Sequence, residues 1–269
     1  MRSMTKFAVA VSLAVSAVSV ASSANALVFA SYTQLTDQRL VWNRDDVGGN
    51  FKNGKLFTSN NPFNQNTATF SPIAAKFSFS TGYAGGLLTG MQNLNVAFSM
   101  QGSEVNTPAV NLGPLINPNR AIQQPNINGS YNFVYTGPTF TTVNNILVST
   151  GTTLLTGTFT NASFVGNRFS LNGNFNAAQP STMVFSSPFI NFATSSQRTT
   201  AVNLYFRRPY ASGANAAPRA VQDWQANSQG TFSAVGIPEP ATWGLMILGF
   251  GGAGVMLRSN RRRMAVVAA

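Results

Sequence analysis

Residues 131–138 read Tyr131-Asn132-Phe133-Val134-Tyr135-Thr136-Gly137-Pro138. Three rings fall on every second position, and a Gly-Pro pair ends the run. A period of two places alternate side chains on opposite faces of a strand, and Gly-Pro is a turn former. The same reading extends outward. Phe77 and Phe79 alternate with Ser78 and Ser80, Met183 and Phe185 share a face, and Val202, Leu204 and Phe206 alternate with Asn203 and Tyr205. Asn60-Asn61-Pro62, Gly85-Gly86, Gly113-Pro114, Asn117-Pro118, Gly166-Asn167 and Asn172-Gly173 punctuate the runs. Helical periodicity is hard to find. Turns about ten residues apart predict an all-β domain over residues 27–235, an antiparallel, jelly-roll-like β-sandwich of roughly ten strands. Phe, present 21 times, is its expected core filler. The stretch Pro108–Asn128, rich in Pro and Asn, reads as a long surface loop, and Ala211–Pro218 as another.

Composition excludes much chemistry. The 269 residues contain no Cys and no His, and only 6 acidic residues. Disulfides, thiol nucleophiles, Ser-His-Asp triads and His- or Cys-based metal sites are therefore out of reach. No cofactor is implied. The formal charge of +11 is spread along the chain. Arg2 and Lys6 give residues 1–26 a charge of +2, and Arg258, Arg261, Arg262 and Arg263 against Glu239 give residues 238–269 a charge of +3. The basic residues between are scattered, which argues against a nucleic-acid partner.

Both ends carry addresses. Met1–Lys6 is basic, Phe7–Ala21 is apolar or small, and the segment closes on Ala24-Asn25-Ala26. That is the pattern of a secretory signal peptide over 1–26, with Ala24 and Ala26 fitting signal peptidase and cleavage after Ala26. At the other end, Pro238-Glu239-Pro240 forms an extended spacer, since proline fixes φ and disfavours helix on either side. Trp243 suits a membrane interface. Residues 241–257 are uncharged and, at about 25 Å as a helix, are barely long enough for a hydrocarbon core of about 30 Å, at the lower limit of transmembrane length. An arginine cluster, Arg258 and Arg261–Arg263, follows and is held inside by the positive-inside rule.

Residues 236–263 closely resemble the PEP-CTERM sorting signal, in the variant with Trp three residues after the second proline. Pro238-Glu239-Pro240, Trp243, Gly249-Phe250-Gly251 and the arginines occur in that order, with Gly244 where the variant usually has Ala. The same tail is sometimes labelled after ice-binding proteins. The resemblance implies processing near Pro-Glu-Pro by exosortase, a membrane enzyme of Gram-negative bacteria that make extracellular polysaccharide. The expected route is export through the inner membrane, transient anchoring, and delivery to the outer surface or medium. A role in exopolysaccharide or biofilm, without catalysis, follows from the resemblance. A carbohydrate-binding module or carbohydrate-active enzyme is the alternative.

Within the exported part the candidates are few. Asn43-Arg44-Asp45-Asp46 with Asn50 offers oxygen ligands of the kind Ca²⁺ takes, but the EF-hand pattern is not met, a solvated turn is the better reading, and no metal site is assigned. Asp37, Asp45, Asp46, Glu104 and Asp223 supply the only carboxylates for a glycosidase pair. Thr156, Thr158 and Thr160 line one face of a strand, echoed by Thr139 and Thr141. Trp42, Trp224, Tyr83 and Tyr210 lie among polar residues, where exposed rings stack on sugars.

Overall fold

A computed structural model describes residues 26–35, 39–45, 53–61, 68–81, 88–104, 107–112, 121–142, 145–167, 170–177, 182–192, 198–207 and 221–235. Strands dominate them: β1 (Ala26–Gln34), β2 (Arg39–Asp45), β3 (Asn53–Ser59), β4 (Ile73–Phe79), β5 (Leu94–Glu104), β6 (Val110–Asn111), β7 (Ala121–Tyr135), β8 (Phe140–Thr141), β9 (Leu147–Val148), β10 (Thr153–Asn167), β11 (Asn172–Ala177), β12 (Thr182–Ser186), β13 (Arg198–Phe206) and β14 (Trp224–Val235). Every pairing is antiparallel, which fits the all-β expectation. Twelve strands belong to one sheet, and β8 and β9 form a small hairpin of their own.

The sheet closes on itself. Its path returns through β1–β14 and β5–β7 pairings, so hydrogen bonds run round a ring. Strands β5 and β14 each serve two neighbours along one edge. Residues 94–98 of β5 pair with β4 and 101–104 with β3. Residues 224–226 of β14 pair with β2 and 229–235 with β1. Likewise β10 takes β12 along 156–160 and β11 along 163–166. The expected sandwich of two separate sheets is thus corrected to one continuous wound sheet. The reason is that long strands shared between levels bring the edges together, and closure leaves fewer unpaired edges open to stray strand pairing.

The two longest strands, β7 and β10, bend to make this possible. Their register slips between Phe159 and Phe164, and Asn126 and Asn161 adopt positive φ of 60° and 56°. Asparagine tolerates that left-handed conformation, and such irregularities bend a strand. The Asn161 backbone N–H donates to Asn128 Oδ1 at 2.9 Å, anchoring the bend. The expected loop over 108–128 is therefore partly strand: β6 lies inside it and β7 starts at Ala121. The other expected loop, 211–218, lies outside the described residues.

Alternation fills the interior with rings. Tyr131, Phe133 and Tyr135 point in, as do Phe77 and Phe79, Met183 and Phe185, and Val202, Leu204 and Phe206. Phe133 stacks on Phe98 at 4.6 Å between centroids. At one end Trp42, Phe164, Trp224 and Phe206 interlock edge to face, 4.9–5.2 Å apart. Tyr131 shares a hydrogen bond of 2.9 Å with Thr200 inside this apolar space, and burial holds its phenol well above the usual range. Gly157 has no side chain because one there would overlap the Tyr131 ring.

Candidate functional site

The outer face of the wall carries a different chemistry. Along β5, β7, β10 and β12 the register sets Ser99 opposite Asn132, Asn132 opposite Thr156, and Thr156 opposite Ser186. One step along the strands, Gln101 faces Ser130, and Ser130 faces Thr158. The next step sets Ser103 opposite Asn128, with Lys55 of β3 beyond Ser103. Hydroxyls and amides therefore recur at about 4.8 Å across the strands and about 6.8 Å along them. The expected threonine face of β10 is one column of this grid: Thr156, Thr158 and Thr160 all point outward.

Residues 68–70 rise over one edge of the grid. Two adjoining depressions result, of about 610 and 280 Å³, and Phe70, Gln101 and Ser130 line both. Phe70 is 47% exposed. Among the described residues, Lys55 is the one charged residue lining either depression. An apolar ring beside neutral donors and acceptors at regular spacing can stack a pyranose ring and bond to its hydroxyls.

The aromatic candidates fare differently. Trp42 and Trp224 are core residues, 0% and 4% exposed, and the proposal that they stack on sugars is corrected. Trp42 sits mid-strand between Val41 and Asn43, and Trp224 opens β14 before Gln225, so the adjoining polar residues say nothing of the side each ring faces. Tyr83 and Tyr210 lie outside the described residues. Phe70, the exposed ring at the grid, sits in the short alternation Thr67-Ala68-Thr69-Phe70-Ser71, which reads as ordinary strand and does not mark a ligand-facing ring.

The carboxylates occupy the opposite kind of setting, locked into structure. Glu104, 1% exposed at the end of β5, accepts a hydrogen bond from the Thr107 backbone N–H through Oε1. Gln124 donates to the Thr107 carbonyl at 3.0 Å and accepts from the Val221 N–H at 3.0 Å. The Trp42 indole N–H donates to the Val221 carbonyl at 2.9 Å. Asp223 accepts from the Arg44 backbone N–H at 2.6 Å. This chain ties the segment before β14 to β2 and β7. Glu104 and Asp223 each serve a backbone N–H here. Asp37, Asp46 and Asn50 lie outside the described residues, and Asp45 is described only as the last residue of β2. Among the described residues no group of three or more metal-binding side chains comes together.

Glu104 Oε2 is buried without a hydrogen-bond partner among the described residues. Desolvation raises its carboxyl above the ordinary range, against a smaller opposing effect of the Thr107 bond. A raised carboxyl favours the protonated fold: its stability contribution is complete below the ordinary pKa of about 4.3 and is lost as pH climbs through the raised value. Glu104→Gln keeps the acceptor for Thr107 and cannot ionise. We expect it to flatten the decline in stability above that range, because the side chain no longer ionises. Urea unfolding of both forms from pH 4 to pH 8 checks this.

The first and last described strands meet at the wall's other end. Ala26, the expected last signal residue, pairs with Val235, the last residue of β14. Ala24 and the sorting residues Pro238, Glu239, Pro240, Trp243, Arg258, Arg261, Arg262 and Arg263 lie outside the described residues. So does the expected span 241–257; among the described residues no helix is long and apolar enough to cross a membrane.

Comparison with known families matches residues 236–263 to the PEP-CTERM protein-sorting motif. The match begins at the residue after β14 ends. This C-terminal sorting signal implies export, a transient hold in the membrane, and processing by an exosortase-type membrane enzyme. No curated protein and no solved structure matches the chain.

Proposed function

We propose that the chain is a non-enzymatic surface or extracellular-matrix protein whose closed β-domain binds extracellular polysaccharide after exosortase-type sorting. Signal peptidase frees Leu27, the segment 241–257 holds the protein in the membrane, and cutting near Pro-Glu-Pro releases it. The observation that carries the binding role is the outer grid of Ser99, Gln101, Asn128, Ser130 and Thr158 beside Phe70. The groove offers mostly neutral hydrogen-bonding groups and the exposed Phe70 ring, with Lys55 as the charged side chain among the described lining residues, which suits a neutral glycan better than a strongly charged ligand. The absence of His and Cys from the sequence, with Glu104 and Asp223 each committed to a backbone N–H, supports a role without catalysis.

Affinity electrophoresis through gels containing dextran or a soluble β-glucan tests the binding. The wild-type protein should be retarded by at least one of these neutral polymers. Phe70→Ala should weaken that retardation about tenfold, the effect of losing one ring contact worth about 1.4 kcal/mol. Migration unaffected by any neutral polysaccharide, or unaltered by Phe70→Ala, argues against the groove.

A further inference from the structure

We infer that, while its tail is still attached, the domain stands end-on against the phospholipid surface, on the rim where β1 begins and β14 ends. The inference rests on the sorting reading and adds an orientation and a contact surface to it. Strand β14 ends at Val235 and the expected span starts at residue 241, which leaves residues 236–240 between them. Five residues reach at most about 18 Å when fully extended. A leash that short keeps this rim at the membrane.

The register says what else the rim presents. Strand β1 starts beside the end of β14, and Tyr135 at the end of β7 bonds to the turn that starts β10. The β8–β9 hairpin is inserted between those last two strands, so it belongs to the same rim. Its Leu147 is 65% exposed, and Leu27 and Val28 of β1 are 56% and 46% exposed. All three acidic residues among those described sit at the other end: Asp45 closes β2, Glu104 closes β5 and Asp223 precedes β14. Among the described residues the near rim carries no acid; exposed aliphatic side chains do not separate the two ends, since Val110, Leu112 and Leu171 are exposed at the far one, so the short leash is what selects the near rim. Burying each aliphatic side chain there is favourable by the usual area argument.

The sequence has no Cys, so a single introduced thiol reports one position without background. Leu147→Cys and Leu171→Cys place a dye on the near rim and the far rim; Leu171, just before β11, is 51% exposed and serves as the matched control. The chain is purified from a host without an exosortase-type enzyme, so that its tail stays attached, and reconstituted in phosphatidylcholine–phosphatidylglycerol vesicles carrying doxyl-labelled lipid. Quenching several-fold stronger at position 147 than at 171 supports the inference. Equal quenching at the two positions, in protein that floats with the vesicles, overturns the orientation and leaves the sorting reading standing. Protein that does not float with the vesicles overturns both.

Discussion

Phe133→Ala costs about 3–5 kcal/mol, the loss expected for a fully buried ring. Phe133 is fully buried in the middle of the closed wall. Its ring lies 4.6 Å from Phe98, 4.8 Å from Phe77, 5.1 Å from Tyr32, 5.5 Å from Phe232 and 5.9 Å from Tyr131. Those partners come from β5, β4, β1, β14 and β7, so one cavity would be shared by five strands. Rigid rings cannot slide in to fill it, because each is itself fixed by a backbone that is hydrogen-bonded on both sides. Aliphatic cores recover part of such a loss by rotamer changes; a ring-packed interior recovers little. A domain margin of about 5–15 kcal/mol would be cut deeply. Guanidinium unfolding, with Leu147→Ala as an exposed comparison expected within about 0.5 kcal/mol, checks the difference. A loss at Phe133 under about 1.5 kcal/mol would mean that the rings do not interlock as described.

The same residues explain what could be read from the chain alone. Phe133 was legible as core because its neighbours Asn132 and Val134 belong to the other face, and a period of two needs no knowledge of the partner strand. Closure of the wall was not legible. Alternation says which way a side chain points but not which strand lies beside it, and β5 or β14 changes partner midway without any change of pattern. Pro125 and Asn126 misled the reading of β7 for a physical reason. Proline cannot donate to a ladder, yet both residues sit where the β7–β10 pairing skips from Gln124 to Ile127, so no donor is missed. Trp42 was misread because the space for its ring is made by Gly54 on β3, where a side chain would strike the indole. Nothing beside Trp42 in sequence reveals that. The polar grid was visible only as the threonines of β10; its other columns come from β5, β7 and β12 and meet only through register. The sorting tail, by contrast, could be read whole, because a processing enzyme recognises it as a linear segment, independent of the domain's fold.

That independence makes the second large effect clean. Replacing Pro238, Glu239 and Pro240 together with alanine should abolish release and leave the chain in the membrane with Arg258 and Arg261–Arg263 attached. Three alanines let helix continue where two prolines forbade it, so the extended segment offered to the enzyme is lost, and so is the acidic side chain between them. The domain itself should be untouched, since β14 finishes at Val235 and the ring loses no strand. Its unfolding midpoint is therefore the internal control: an unchanged midpoint with retained protein separates failed processing from misfolding. Mass spectrometry of the wild-type secreted form should find a chain starting at Leu27 and ending in the Pro-Glu-Pro region. Secreted wild-type protein that still carries residues 258–263, or undiminished release of the alanine variant, would refute processing at this motif. Converting Arg261, Arg262 and Arg263 to glutamate removes the inside charge that stops the tail from passing through the bilayer. Its expected signature is different from that of the alanine variant: intact chain escaping outward, with the span still attached. The two variants thus separate the step that holds the protein from the step that cuts it.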